Sequence, residues 1–160
     1  MSADKGKRAG RWVASYLRTQ GWPLAEAVAN GRAGVDITET PGVALEIKTG
    51  TVWRHAWLEQ AGKYDGKVQA VVWLLPGAGA ASVSRVPVIM PGETLQRLLL
   101  EAGRSPGYVL SLPVTGGIQW RAAWRTLSGP IFYQPPAPAD AQGIMQMHEL
   151  MQVLRDARYM

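Results

Sequence analysis

Gly34-Val35-Asp36-Ile37-Thr38-Glu39-Thr40-Pro41-Gly42-Val43-Ala44-Leu45-Glu46-Ile47-Lys48 is the stretch on which the reading of this chain turns. Pro41-Gly42 is a turn signal, and on both sides of it apolar residues alternate with others, the pattern of two strands joined in a hairpin. Pairing symmetric about Pro41 sets Asp36 opposite Glu46. Side chains two apart share a face of a strand, so Lys48 joins the two acids, while Val35, Ile37, Val43, Leu45 and Ile47 line the opposite, buried face.

Opposed side chains of an antiparallel pair have Cβ atoms roughly 4.5 to 5.5 Å apart, and two bare carboxylates at that separation repel each other. A divalent cation removes the conflict. Oxygen ligands from Asp36, Glu46 and the carbonyl of Ile47 suit Mg²⁺, with Mn²⁺ as a substitute, because Mg²⁺ keeps several waters and takes few protein ligands. Lys48 is then placed to orient an attacking water or to steady phosphate charge. The alternative is a solvent-facing strand pair in which Lys48 offsets two acids.

Asp, a hairpin and then Glu-x-Lys resembles the core of the PD-(D/E)xK nuclease superfamily, whose members hydrolyse DNA with Mg²⁺. The run from Gly21 to Gly50, with Ala25-Glu26, Gly34-Val-Asp36-Ile and Thr40-Pro-Gly-Val ahead of Glu46-Ile-Lys48, is similar to the Holliday junction resolvase-like nucleases of actinobacterial phages. The likeness extends from about Lys5 to Ala102. It implies an α/β fold, a mixed central sheet flanked by helices with a restriction-endonuclease-like core, and a homodimer, since resolving a junction takes two cuts. Archaeal-type junction resolvases carry a glutamate on the first helix where this chain has Gly10 and Arg11; Glu26, on an expected strand from Trp22 to Val28, is the substitute acid, or else an exposed acid on an edge strand.

A chain of 160 residues can bury a sizeable core, and the expected division is a core over 1–103, a further hairpin region over 104–129, and a Pro/Ala-rich linker with a carboxy-terminal helix over 130–160. A formal charge of +5 and a pI near 9.8 favour a polyanionic partner. The surplus is concentrated early: Lys5, Lys7, Arg8, Arg11, Arg18 and Arg32 stand against Asp4 and Glu26 before Val35. Cysteine is absent, which excludes disulfides and Cys-ligated metal, and the two histidines, His55 and His148, are too far apart in sequence to suggest a zinc site. No window has the apolar length of a signal peptide core or a membrane span, so the expected location is cytoplasmic, the host cytoplasm if phage-encoded.

Ala9, Val13, Tyr16, Leu17 and Gln20 follow helical spacing and predict a helix over 4–20, ended by Gly21 and Pro23. Its other face carries Lys7, Arg11 and Arg18, candidates for DNA phosphates, as are Arg32, Arg54 and Lys63. A second helix is expected over 52–65, its stripe of Trp53, Trp57, Gln60, Ala61 and Tyr64 packing on the sheet. Gln60 and Tyr64 also match the Gln-x-x-x-Tyr motif that some RecB-type relatives place beside the metal, where an amide and a phenol hold a phosphate or order a water. Val68 to Leu75 reads as a strand buried on both faces, Pro76 to Ala81 as a connector, Val83 to Ile89 as a strand, and the residues from Pro91 to Ala102 as a helix with Leu95, Leu98 and Leu99 inside.

Tyr108 to Val114 and Ile118 to Trp124 read as a hairpin about Thr115-Gly-Gly117, with Trp120 and Trp124 on one face. Residues 141–158 predict a helix whose stripe of Ile144, Met147, Met151 and Leu154 docks on another surface. The functional expectation is a Mg²⁺-dependent DNA endonuclease acting on branched DNA as a Holliday junction resolvase. Its rivals are an exonuclease or restriction-type nuclease on the same fold, and a non-catalytic phage structural or DNA-binding protein that keeps the scaffold.

Overall fold

A computed structural model describes residues 3–28, 34–104 and 142–160, together with the backbone of four short strands between them. In chain order the elements are α1 (Ala3–Gln20), β1 (Glu26–Ala27), β2 (Ile37–Thr38), β3 (Val43–Thr49), α2 (His55–Ala61), β4 (Val68–Leu74), a 3₁₀ helix (Ala80–Arg85), β5 (Pro87–Pro91), α3 (Gly92–Glu101), β6 (Leu112–Val114), β7 (Gly117–Gln119), β8 (Trp124–Arg125), β9 (Pro130–Ile131), β10 (Gln142–Gln146) and α4 (Met147–Asp156). The main sheet has four strands in the order β10-β5-β4-β3. It is mixed: β3 and β4 run parallel in the register Val43↔Val68 to Thr49↔Leu74, while β4–β5 and β5–β10 are antiparallel.

The Val68–Leu74 run behaves as its composition predicts. Ala70, Val72 and Leu74 face a core that includes Val13 and Leu17 of α1, Leu95 and Leu98 of α3, and Leu150 and Leu154 of α4. Val71 and Trp73, on the alternate positions, join Trp53, Leu58, Ile89 and Ile144 on the other face. The sheet is therefore covered on both sides, as a parallel pair requires. On the α2 side three indoles meet: Trp53 and Trp57 edge to face at 5.5 Å, and Trp53 with Trp73 at 5.7 Å.

Four expectations change in detail. The Pro41-Gly42 turn forms, with Val43 N–H donating to the Thr40 carbonyl (3.0 Å) and the Thr40 hydroxyl to the Val43 carbonyl (2.8 Å), but the symmetric hairpin ladder does not. β2 pairs instead with β1, Glu26↔Thr38 and Ala27↔Ile37, and β3 spends its hydrogen bonds on β4. The second helix is short, His55–Ala61 rather than 52–65, because Trp53 is buried against Trp73 ahead of it and Gly62 to Tyr64 tighten into turns. Residues 80–85 are 3₁₀, taking in the end of the expected connector and the first three residues of the strand expected over 83–89: Ser82 Oγ accepts from Gly79 N–H (2.9 Å) and donates to the Gly79 carbonyl (3.0 Å), a local bond that competes with a ladder.

The largest change is at the carboxy-terminal end, where residues 142–146 are a strand and not the first turn of a helix. β10 pairs with β5 from Gln142↔Pro91 to Gln146↔Pro87, and Ile144 and Met145 are buried on opposite faces. Met147, Met151 and Leu154 do lie on a helix, and they dock within the chain, in the same core as α1 and α3. The turn expected around Thr115 joins β6 and β7, paired Leu112↔Gln119, Pro113↔Ile118 and Val114↔Gly117, but Trp124 lies on a separate strand whose register is Trp124↔Ile131 and Arg125↔Pro130, so Pro130 and Ile131 are strand and not linker. Trp120 and the linker over 132–140 lie outside the described residues, as does the side chain of Trp124.

Gly143 makes the strand possible. A Cβ there would stand 2.9 Å from Leu95 Cβ and 3.1 Å from its Cγ, with Cδ2 of that buried leucine closer still. Gly143→Ala is expected to cost about 1 to 3 kcal/mol through overpacking against α3. Urea denaturation checks this, and an unchanged midpoint would contradict the strand placement.

A carboxylate, lysine and tyrosine cluster

Asp36 is held by its backbone and its side chain at once. Its N–H donates to the Leu45 carbonyl (3.2 Å), its carbonyl accepts from Val28 N–H (2.8 Å), and its Oδ2 accepts from Ile47 N–H at 2.7 Å. The two bonds to β3 fall on the residues either side of Glu46, which brings the acids together without a ladder between their strands. Asp36 is half-buried. Burial pushes its pKa up, the Ile47 N–H draws it down, Glu46 raises it again and Lys48 lowers it.

Glu46 is more deeply placed than the alternation of the sequence implies, because β3 is packed on both faces: its side chain is 2 % exposed, beside Ala44 at 1 %. Lys48 Nζ forms an ion pair with Glu46 Oε1 at 2.5 Å, while Oε2 is buried and accepts no hydrogen bond. From Lys48 a chain of polar contacts runs outward. Lys48 Nζ also donates to Gln60 Oε1 (3.1 Å), and Gln60 Nε2 donates to the Tyr64 hydroxyl (3.3 Å). Gln69 of β4 fixes Tyr64 from behind, its Nε2 donating to the Tyr64 carbonyl (2.9 Å) and to the Gly66 carbonyl (3.0 Å). Partial burial raises the Tyr64 pKa, Gln60 opposes it, and the Glu46 and Asp36 carboxylates raise it further, so the phenol stays a proton donor across neutral pH.

Asp36, Glu46, Lys48, Gln60 and Tyr64 therefore converge from three stretches of chain. Glu26 stands apart, exposed on β1 with its backbone paired to Thr38. Among the described residues no group of three or more His, Cys, Asp or Glu side chains could hold a metal, so an ion here would have two carboxylates and would keep water for its other positions, as Mg²⁺ does. The unpaired buried Oε2 of Glu46 and the Asp36 carboxylate beside it fit such an ion, and Ile47, whose N–H already holds Asp36 Oδ2, is the next residue of the strand.

The expected phosphate contacts divide differently. Lys7 and Arg11 are exposed on α1, and Lys63 is exposed beyond α2. Arg18 is a strut, its Nη1 donating to the Ala25 carbonyl at 2.8 Å. Arg32 lies outside the described residues. Arg54 lines a cleft with Lys5, Arg8 and Trp12. Lys5 and Arg8 belong to the early basic surplus, and with Trp12 they stand at i, i+3 and i+7 on one face of α1.

Comparison with known proteins finds no matching family model, no matching curated protein and no matching solved structure. No helix among the described residues is long and apolar enough to cross a membrane.

Asp36 gives a pH-dependent prediction. Its folded pKa is raised, so the acid contributes no penalty below the ordinary aspartate value, and native stability is lost as pH rises through the window just above it. Asp36→Asn keeps an oxygen for the Ile47 N–H and removes the charge. It should melt a few degrees above the wild type at neutral pH, with the gain vanishing at about pH 3, where the wild-type acid is protonated in both states. Thermal melts at the two pH values decide it; a lower neutral melting temperature for the variant would count against a desolvated Asp36.

Proposed function

We propose that this protein is a divalent-metal-dependent DNA endonuclease acting on branched DNA, in the manner of a Holliday junction resolvase with the PD-(D/E)xK arrangement. The observation that carries the reading is the buried Glu46 oxygen without a hydrogen-bond partner beside the Asp36 carboxylate, with Lys48, Gln60 and Tyr64 strung along the same site. Two close carboxylates and a cation, held by a strand that cannot shift without breaking the sheet, are more than surface charge balance requires.

Asp36 and Glu46 hold Mg²⁺ in this reading, with the Ile47 carbonyl as the expected further oxygen. When bound, the ion supplies a Lewis acid for the scissile phosphate and lowers the pKa of a water. Lys48 places a positive charge against the attacking oxygen and the phosphate. Gln60 keeps Lys48 turned toward the site, and Tyr64, protonated at neutral pH, donates to a phosphate oxygen. The basic surplus around α1 positions DNA by its backbone, which suits recognition of shape over sequence. A homodimer supplies the second cut.

A second reading, an end-processing exonuclease on the same fold, is favoured by the Lys48–Gln60–Tyr64 chain, since a Gln and a Tyr in that relation resemble RecB-type nucleases.

Purified protein should be assayed with Mg²⁺ or Mn²⁺ on four-way junctions, linear duplexes and single strands of equal length. Junctions are expected to be cut fastest, and Asp36→Ala, Glu46→Ala and Lys48→Ala to lower the rate by at least about a hundredfold. Absence of cleavage, or cleavage undiminished in all three, defeats the proposal; preference for an end selects the exonuclease. Independently of activity, Mg²⁺ should raise the melting temperature of the wild type through binding to the native state and leave that of Asp36→Ala unmoved.

A further inference from the structure

A separate cleft of about 800 Å³ opens beyond the carboxy-terminal ends of β3 and β4. One wall is the face of α1 that presents Lys5, Arg8 and Trp12; another is the connection from β3 to α2, with Arg54, and Trp57 of α2. Among the described residues no aspartate or glutamate lines it. Lys5, Arg8 and Arg54 are exposed, and among the described residues none of them has an acidic side chain within ion-pair distance. Three cations facing one cleft repel one another unless an anion joins them. The cleft is not purely ionic either: Val52 and Leu75, 45 % and 43 % exposed, are on its lining, and Trp12 and Trp57 are half-buried there.

We infer that this cleft binds an unpaired nucleic-acid strand, with Lys5, Arg8 and Arg54 on the phosphates and Trp12, Trp57 and the apolar rim against the bases. Cations interleaved with aromatic faces are what a single strand requires, because its bases are free to stack on side chains while its backbone follows the charge. A duplex offers its phosphates outside a closed stack and has no free base faces to fill the apolar part. The volume is that of a small-ligand site, enough for a short piece of strand and not for a paired helix. Gly50 shapes the floor: its φ of +154° turns the chain out of β3, its carbonyl accepts from Trp73 Nε1 at 3.1 Å, and a Cβ added to it would lie 3.7 Å from the Trp57 ring.

The cleft follows directly on the cluster, since Thr49 and Gly50 on its lining succeed Lys48 in the chain and Trp57 precedes Gln60 by one helical turn. On the nuclease reading, the strand held here is the one that leaves the duplex at a branch point. That reading supplies the direction of the strand, while its binding stands or falls by itself.

The test is fluorescence anisotropy of a labelled oligothymidylate in EDTA, against a blunt duplex of the same length and against competition by free thymidine monophosphate. The oligothymidylate should bind at least about tenfold more tightly than the duplex, and the mononucleotide should not displace it at equal concentration. Lys5→Ala/Arg8→Ala/Arg54→Ala, all at exposed positions, should weaken binding at least about tenfold at low salt. It should also make the slope of log affinity against log salt shallower by about two, the release expected of three single-strand phosphate contacts. Arg54→Gln alone gives a smaller change in the same direction. Equal binding of strand and duplex, displacement by the mononucleotide, or unchanged affinity and slope in both variants overturns the inference. Because turnover is absent in EDTA, failure of cleavage with strand binding intact would count only against the nuclease reading, and the converse only against the cleft.

Discussion

A strand packed on both faces is the constraint from which the rest follows. β4 sends Ala70, Val72 and Leu74 into one core and Val71 and Trp73 into the other, and burying each of its valines and leucine is worth roughly 1.5 to 3 kcal/mol. Such a strand cannot slip by one residue without exchanging its two sets of side chains. It therefore fixes the register of β3, and through β3 the height at which Glu46 and Lys48 stand relative to α2. Gln69, on the same strand, sets Tyr64 in turn.

Glu46 is the cost of that arrangement. A carboxylate in the interior of a sheet loses hydration, and Lys48 compensates only one of its oxygens. Asp36 adds a second acid whose own ionisation is opposed by burial and by Glu46. A fold selected for stability alone would place apolar residues here with little loss. The retained polarity is concentrated where β3, the end of α2 and the segment carrying Asp36 meet.

Sequence reading found what depends on local pattern. The almost continuously apolar run of β4, the spacing of Ala9, Val13 and Leu17, the stop at Gly21 and the nearness of Asp36 to Glu46 and Lys48 are all written in neighbouring residues. It failed where a distant partner decides. Ile144, Met147, Met151 and Leu154 fit a helical stripe, and only the open edge of β5 and the close approach of Leu95 to Gly143 make the first of these a strand residue. The hairpin was half legible: its turn is local, but whether β3 pairs backward with β2 or forward with β4 depends on a competition between partners that alternation does not reveal. Glu46 was expected on an open face because alternation alone cannot tell a strand with one covered face from a strand with two.

The last residues of the chain reach back to the beginning of the site. The Tyr159 ring packs where a Cβ on Gly42 would stand, at 3.1 Å, its carbonyl accepts from Trp22 Nε1 (3.2 Å), and Arg155 Nη1 donates to the Gln20 carbonyl (3.1 Å). The turn that delivers Asp36 to Glu46 is thus propped by a segment more than a hundred positions away. The carboxylate cluster therefore depends on contacts from residues 155–159 as well as on its own strand. Contacts of that sequence separation slow folding.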